Sequence, residues 1–377
     1  MNQQWSVQGN YLELKEMPFY WRLSDDVREA PDIPPKLPIR ISVNQEYDYL
    51  QYKPLSSEWA AIDCAYRKNE NIGFLNPESG QLQTYGSSVN GFFLEIIESH
   101  APKAIYEIGC GAGFSIQFLK ENGWPVVGID PSEYSLKWSE RLGFDLISSF
   151  FSEGLFSIAP DFVYCNDVFE HVRDVELFSE QVCNSLSNGG VFCFATTNST
   201  QSIAIGDISM LEHQHVNMFT ERSISLILRA AGFNEVNIRL GSYGNTFHVC
   251  ARKSYGGMYE TPPELCTGFI ERAESKLTSF NSFYIQYDSC HYYVPLRCIP
   301  YLASVGDYGK AKLFDSNASW RNKFIDGYYT PIGSLEDITY SEGDNFLIGS
   351  LTFFNEIKAS LEKIGYAKGA IHSIRDV

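Results

Sequence analysis

Between residues 86 and 253, short runs of β-branched and aromatic residues alternate with longer stretches whose apolar positions recur every three or four residues. That rhythm predicts βαβ units and a parallel sheet, because each fully buried strand reads as an apolar run and each crossover helix as a one-sided stripe. Strands are expected at AIYEIG (104–109), PVVGID (125–130), DLISS (145–149), DFVYCN (161–166) and GVFCFATT (190–197). Helices are expected between them, at FSIQFLKENG, SEYSLKWSERLG and VELFSEQVCNSLSNGG, two of them ending on a stop glycine. SSVNGFFLEIIESH (87–100) predicts an earlier helix with a serine cap. FTERSISLILRAAGF, then NEVNIRL and NTFHVCARK, predict a last helix and a hairpin-like pair. The expectation is a seven-stranded, doubly wound α/β sheet.

The flanks read differently. Residues 1–85 show no sustained period before SSEWAAIDCAYRK and carry the proline-marked PDIPPKLP, which predicts an extended arm with short helices, or a lid over a site. Residues 254–377 repeat the α/β rhythm on a smaller scale: a long helix over PPELCTGFIERAESKLTSFNSFYIQY, then HYYV, PLRCIPYLASVG, AKLFDSN, DNFLIGS and the helix LTFFNEIKASLEKIG. The chain thus divides into an arm (1–85), a central domain (86–253) and a second, smaller C-terminal α/β domain (254–377). A length of 377 residues accommodates this.

Composition narrows the function classes. A formal charge of −17 disfavours phosphate backbones and anionic lipid, so neither nucleic acid nor a membrane surface is an expected partner. No apolar run approaches the roughly 20 residues needed to span a bilayer. MNQQWSVQGNYLELKE lacks the basic and apolar regions of a signal peptide. Nine cysteines without a CxxC pair, several inside apolar runs, predict reduced thiols in a cytoplasmic protein.

The strongest chemical signal is IYEIGCGAGFSIQFLK (105–120), where a strand closes on Glu107 and Gly109, Gly111 and Gly113 punctuate the turn into a helix. Glycine suits a turn with positive φ, or one where a ligand must approach the main chain. The spacing is GxGxG, not the GxGxxG of NAD(P) and FAD sites. Asp130, closing the next strand about twenty residues later, is placed to accept both hydroxyls of a ribose, so a nucleoside derivative is the expected ligand. A tight turn beside a surface acid is the plainer alternative.

With these residues in place the sequence resembles the class I S-adenosylmethionine-dependent methyltransferases. EIGCGAG (107–113) looks like their first motif, Asp130-Pro131-Ser132 like their second-strand acid, and DFVYCNDVFEHV with LSNGGVFCFATTN like their fourth and fifth strands. The resemblance implies a Rossmann-like seven-stranded domain and S-adenosylmethionine as cofactor. It places Gly109, Cys110, Gly111 and Gly113 beneath the methionine part, Glu107 near its amino group and Asp130 with Pro131 at the ribose. Ser149 and Phe150 would border the adenine, and Asn166 and Asp167 would flank the sulfonium.

Methyl transfer needs proximity, and a base where the nucleophile carries a proton. Histidine titrates near neutrality and is offered at His171, His213 and His215. EHQHVNMF resembles a segment of sugar C-methyltransferases in which a histidine four residues before a phenylalanine is the base, which puts His215 first, His213 second, and His171 in an orienting role. The C-terminal unit resembles the C-terminal domain of those enzymes by pattern. The paired cysteines of their N-terminal zinc module are missing, since residues 1–85 hold only Cys64, and no third ligand accompanies the two histidines, so no metal is expected. Glu212 and Gln214 also replace their usual tyrosine and glutamate. The leading expectation is methylation of a small-molecule acceptor, such as a nucleotide-linked sugar, in carbohydrate biosynthesis. O-methylation of a glycan or small molecule, a non-catalytic cofactor-binding protein and an oxidoreductase stand as alternatives, and the oligomeric state, a homodimer included, stays open.

Overall fold

The computed structural model of the chain describes residues 3–19, 23–26, 33–68, 83–242, 245–254, 261–287, 289–338 and 343–377. The part of the expected arm at 69–82, and the first two residues of PDIPPKLP, lie outside them.

The central domain is a seven-stranded sheet in the order Glu235–Leu240, Thr246–Arg252, Val191–Thr197, Phe162–Asn166, Ile105–Ile108, Val127–Ile129, Leu146–Ile147. The last five in that order run parallel, and the first two add an antiparallel edge. Strand periodicity divides the interior into two apolar layers. Val163, Cys165, Phe192 and Phe194 pack on one face with Phe169, Phe178 and Phe219, whereas Phe162, Tyr164, Val191 and Cys193 pack on the other with Phe93, Ile97 and Leu119. Both faces being covered explains why these strands read as unbroken apolar runs. The first helix spans Gln83–His100, beginning before the expected serine cap.

The N-terminal expectation is corrected. Trp5–Gln8, Tyr11–Pro18, Lys36–Asn44 and Tyr49–Tyr52 form an antiparallel sheet, and its fifth strand, Asn217–Met218, comes from the central domain. The alternation of buried Leu12 and Leu14, and of Ile39 and Ile41, was readable. It is interrupted where the pairing slips between Leu14 and Met17, and such a slip breaks the period-two signal. Ser56–Lys68 then forms a helix.

The C-terminal unit is a five-stranded parallel sheet in the order Ile332–Gly333, Lys312–Phe314, His291–Tyr293, Phe346–Ile348, Ile371–Ser373. Its helices Phe269–Gln286 and Pro295–Ser304 share one core with the N-terminal sheet: Leu14, Ile41 and Tyr52 belong to the same cluster as Phe280, Tyr301 and Leu313. The N-terminal sheet therefore packs into one core with the C-terminal unit. Seven of the nine cysteines are buried and none is bridged. No helix among the described residues is long and apolar enough to cross a membrane.

Candidate active site

A cavity of about 470 Å³ opens at the carboxyl ends of the central parallel strands, where the connections diverge to either side of Ile105–Ile108. Ligands of doubly wound sheets bind at such a switch point, and this volume lies in the range of about 300–1,000 Å³ typical of ligand pockets.

The glycine turn forms its floor. Gly109, Gly111 and Gly113 have φ of 72°, 49° and 72°, a region that L side chains rarely occupy. Their surroundings differ. A Cβ at Gly109 would lie 2.5 Å from Val168 and one at Gly113 2.3 Å from Phe144, whereas at Gly111 it would meet nothing within 4 Å. Gly109 and Gly113 thus permit packing, and Gly111 keeps the cavity side of the turn clear. Asp130 is tied to the same turn: its carboxylate accepts the Gly111 amide at 3.0 Å and the Ser132 amide and hydroxyl at 2.9 and 2.6 Å. Glu107 is buried and accepts the Tyr164 hydroxyl at 3.0 Å; burial pushes its pKa well above the usual carboxylate range.

Of the residues expected at the cofactor, Glu107, Gly109, Cys110, Gly111, Asp130, Pro131, Ser149, Phe150, Asn166 and Asp167 line the cavity. Gly113 does not; it caps the helix Phe114–Glu121 behind the turn. Asp167 sits at φ 50°, an uncommon setting for a non-glycine residue, at the end of its strand. The Tyr85 hydroxyl at 2.7 Å and the Asn166 amide at 2.9 Å hold its carboxylate, and burial together with nearby Glu170 raises its pKa.

The three histidines separate. His171 lines the cavity, and its Nδ1 lies 2.8 Å from the Gln214 carbonyl, so Nδ1 carries the proton and Nε2 is left as the acceptor. Burial, and then the neighbouring His215, push its pKa down to about 4. His215 stands one ring further back, 4.8 Å between centroids, and its Nε2 pairs with Glu212 at 2.7 Å. Glu212 raises the His215 pKa against burial, while Glu212 itself is held down at about 2. His215 is not among the residues lining the cavity. Nor is His213, which is buried edge-on to Phe19 and Tyr52 with Nε2 3.1 Å from the Leu37 carbonyl.

Ligand-capable atoms do come together in a set other than the pair His213 and His215. Glu170, His171 and His215 each bring one such atom within 4.8 Å of the others, a set that could hold a divalent cation. Glu170 is fully buried; one carboxylate oxygen accepts the Thr196 hydroxyl at 2.8 Å and the other has no hydrogen-bond partner among the described residues.

Sequence reasoning also missed a wall of the cavity. Trp59, Asp63 and Tyr66, at i, i+4 and i+7 on the helix Ser56–Lys68, line it from outside the glycine turn's own domain, and Arg173 and Gln214 line it from within that domain. The spacing places the three on one helical face, and that pattern was the available signal.

Residues 87–238 match the family model described as a methyltransferase domain. This segment is a class I S-adenosylmethionine-dependent methyltransferase domain. Among curated relatives, the human mitochondrial ubiquinone biosynthesis O-methyltransferase is 32% identical over 133 residues, covering 30% of this chain and 36% of that protein. The ubiquinone biosynthesis O-methyltransferase of Idiomarina loihiensis is 28% identical over 140 residues, covering 33% and 56%. The matched part of the chain spans between 36% and 63% of the length of such relatives. Similar solved structures include human N-acetylserotonin methyltransferase in complex with S-adenosylmethionine, at 17% identity and TM-score 0.43, covering 54% of this chain and 60% of that one. A methyltransferase of Thermotoga maritima matches at 17% identity and TM-score 0.38, covering 48% and 96%. The methyltransferase domain holds the glycine turn, Asp130, Asp167 and all three histidines; Trp59, Asp63 and Tyr66 come from outside it.

Proposed function

We propose that this chain is a methyltransferase of the cytoplasm that methylates a small polar acceptor, with His171 taking the acceptor's proton. The observation that carries the reading is one cavity wall: Gly111, Asp130, Asp167 and a neutral His171 face the same space. S-adenosylmethionine, when bound, supplies an electrophilic methyl group and departs as the neutral thioether. The clear face at Gly111 admits its methionine end, Asp130 takes the ribose hydroxyls, and the carboxylate of Asp167 opposes the sulfonium charge. His171 Nε2 would accept the acceptor's proton as its nucleophilic atom takes up the methyl group. The Gln214 carbonyl fixes the tautomer that leaves Nε2 able to do this.

His215 and Glu212 act behind His171 as a charged pair that sets its basicity. The loop carrying them is fastened to the C-terminal unit, where Tyr301 donates to Asp207 at 2.9 Å and Arg297 to the Ser209 carbonyl at 3.4 Å. A nucleotide-linked sugar is the leading candidate acceptor. A second reading, methylation on oxygen, is favoured by the names of the curated relatives, all of them O-methyltransferases. The experiment is release of S-adenosylhomocysteine with a panel of nucleotide-linked sugars and phenolic or glycan hydroxyls, with mass spectrometry to place the methyl group. Turnover that His171→Ala abolishes supports the reading; donor binding without turnover on any acceptor identifies a non-catalytic binding protein.

A further inference from the structure

The cavity has a second end that the donor's expected contacts leave unused. It lies between the helix Ser56–Lys68 and the segment Val172–Arg173. Arg173 is the only lysine or arginine among the lining residues, which otherwise include the carboxyl groups of Asp63, Glu107, Asp130 and Asp167. Its guanidinium pairs with no carboxylate among the described residues and rests on the Trp59 ring, 4.9 Å from the centroid. A cation braced on an aromatic face is pre-organised yet keeps its in-plane donors free. Arg173 is exposed at the cavity, so its guanidinium is open to a group arriving from solvent.

Tyr66 supplies an independent second observation. Its hydroxyl is buried at the same wall with no hydrogen-bond partner among the described residues, and its ring stands edge-on to His171 at 5.9 Å. A buried donor left unmatched is costly, and a ligand oxygen reaching it would recover that cost. Trp59 and Tyr66 share one helical face two turns apart, the first bracing Arg173 and the second beside His171.

We infer that Arg173 and Tyr66 form an oxyanion subsite for the methyl acceptor, which therefore carries a phosphate or carboxylate group near the atom to be methylated. Arg173 offers a forked pair of N–H donors to two oxygens of that group and Tyr66 one O–H donor. Trp59 holds the fork in position, and His171, edge-on to Tyr66, receives the proton from the neighbouring nucleophile. This inference rests on the proposed methyltransferase reading, and its test separates the two.

Full-length protein is first titrated with S-adenosylhomocysteine by calorimetry. The saturated protein is then titrated with sodium pyrophosphate in one arm and sodium benzoate in the other, so that phosphate and carboxylate sources are told apart. The subsite predicts that at least one probe binds, that Arg173→Gln weakens it at least tenfold and Tyr66→Phe about threefold, and that raising the salt to 0.3 M weakens wild-type binding. Both variants should keep S-adenosylhomocysteine affinity within twofold of wild type. The subsite is overturned if neither probe binds the loaded protein, or if Arg173→Gln binds the probe as wild type does. It is equally overturned if Arg173→Gln loses S-adenosylhomocysteine instead, which assigns the arginine to the donor. No S-adenosylhomocysteine uptake by wild type removes the methyltransferase reading itself, and the subsite with it.

Discussion

The molecule contains two parallel sheets with the same opening move. In each, the first strand lies inside the sheet, Ile105–Ile108 in one and His291–Tyr293 in the other, followed by a turn, a helix, and a second strand with an aspartate after it. In the methyltransferase domain the turn is three glycines, and at Gly111 the space beyond the main chain is empty. In the C-terminal unit it is Val294, at φ 65°, followed by Pro295. A β-branched side chain and a proline ring stand where a ligand would need the backbone. A Cβ at Gly349, on the neighbouring strand's exit, would lie 2.8 Å from Cys298 and 3.2 Å from the Val294 carbonyl, so this turn is packed against protein. The acids differ likewise: Asp130 reaches across to the Gly111 amide, whereas Asp315 accepts only locally, from the Asn317 amide at 2.8 Å. Sheet architecture supplies a place for a ligand; clearance at the main chain decides whether it is one.

The largest expected effect breaks that comparison directly. Gly111→Val should cost at least a hundredfold in S-adenosylhomocysteine affinity, because the new side chain enters the cavity and the residue resists φ 49°. Val294→Gly, which opens the second turn, should leave that affinity within twofold. Calorimetry on both variants reads the difference.

Next comes the chemistry. His171→Ala should lower kcat by about 10²–10⁴-fold with donor affinity within threefold, the range expected for a lost acid–base group. His213→Ala should lower the melting temperature while leaving kcat of the folded protein within about threefold, since that ring contacts Phe19 and Tyr52 and lines no cavity.

A subtler effect is electrostatic. His171 has its pKa near 4, so kcat/KM should stay level as pH falls from 8 to about 5 and decline only below that. His215→Ala removes the positive neighbour that helps depress it, and the acid limb should move upward towards 6.5. An unmoved limb would show that His215 has no electrostatic hold on His171.

The smallest effect concerns stability. His213 is neutral when buried, with a folded pKa near 4 against about 6.5 unfolded. The unfolded chain therefore takes up the proton first, so stability is lost as pH falls from 6.5 towards 4. In urea unfolding, the deficit of His213→Phe relative to wild type should shrink across that window. A deficit independent of pH would mean that the ring titrates in the fold as it does in the unfolded chain.

The same contrast explains what could be read from the chain. The seven-stranded sheet was legible because its strands are buried on both faces, and VFCFATT or FVYCN cannot be mistaken for surface. The glycine turn and Asp130 were legible because main-chain approach demands particular residues at particular spacing. The N-terminal sheet was not, since its alternation breaks between Leu14 and Met17 and its last strand is borrowed from Asn217–Met218. The order of the histidines was hidden too: His171 and His215 are 44 positions apart, and only tertiary packing sets the first at the cavity and the second behind it. Trp59, Asp63 and Tyr66 share a helical face, but nothing local says what that face meets.

The central claim is that the glycine turn and Asp130 grasp one adenosyl ligand. A crystal structure of the protein with S-adenosylhomocysteine tests it most directly. The account predicts both ribose hydroxyls within hydrogen-bond distance of the Asp130 carboxylate and the homocysteine chain against Gly109–Gly111. A nucleoside seated elsewhere, with Asp130 still holding only Gly111 and Ser132, would contradict it.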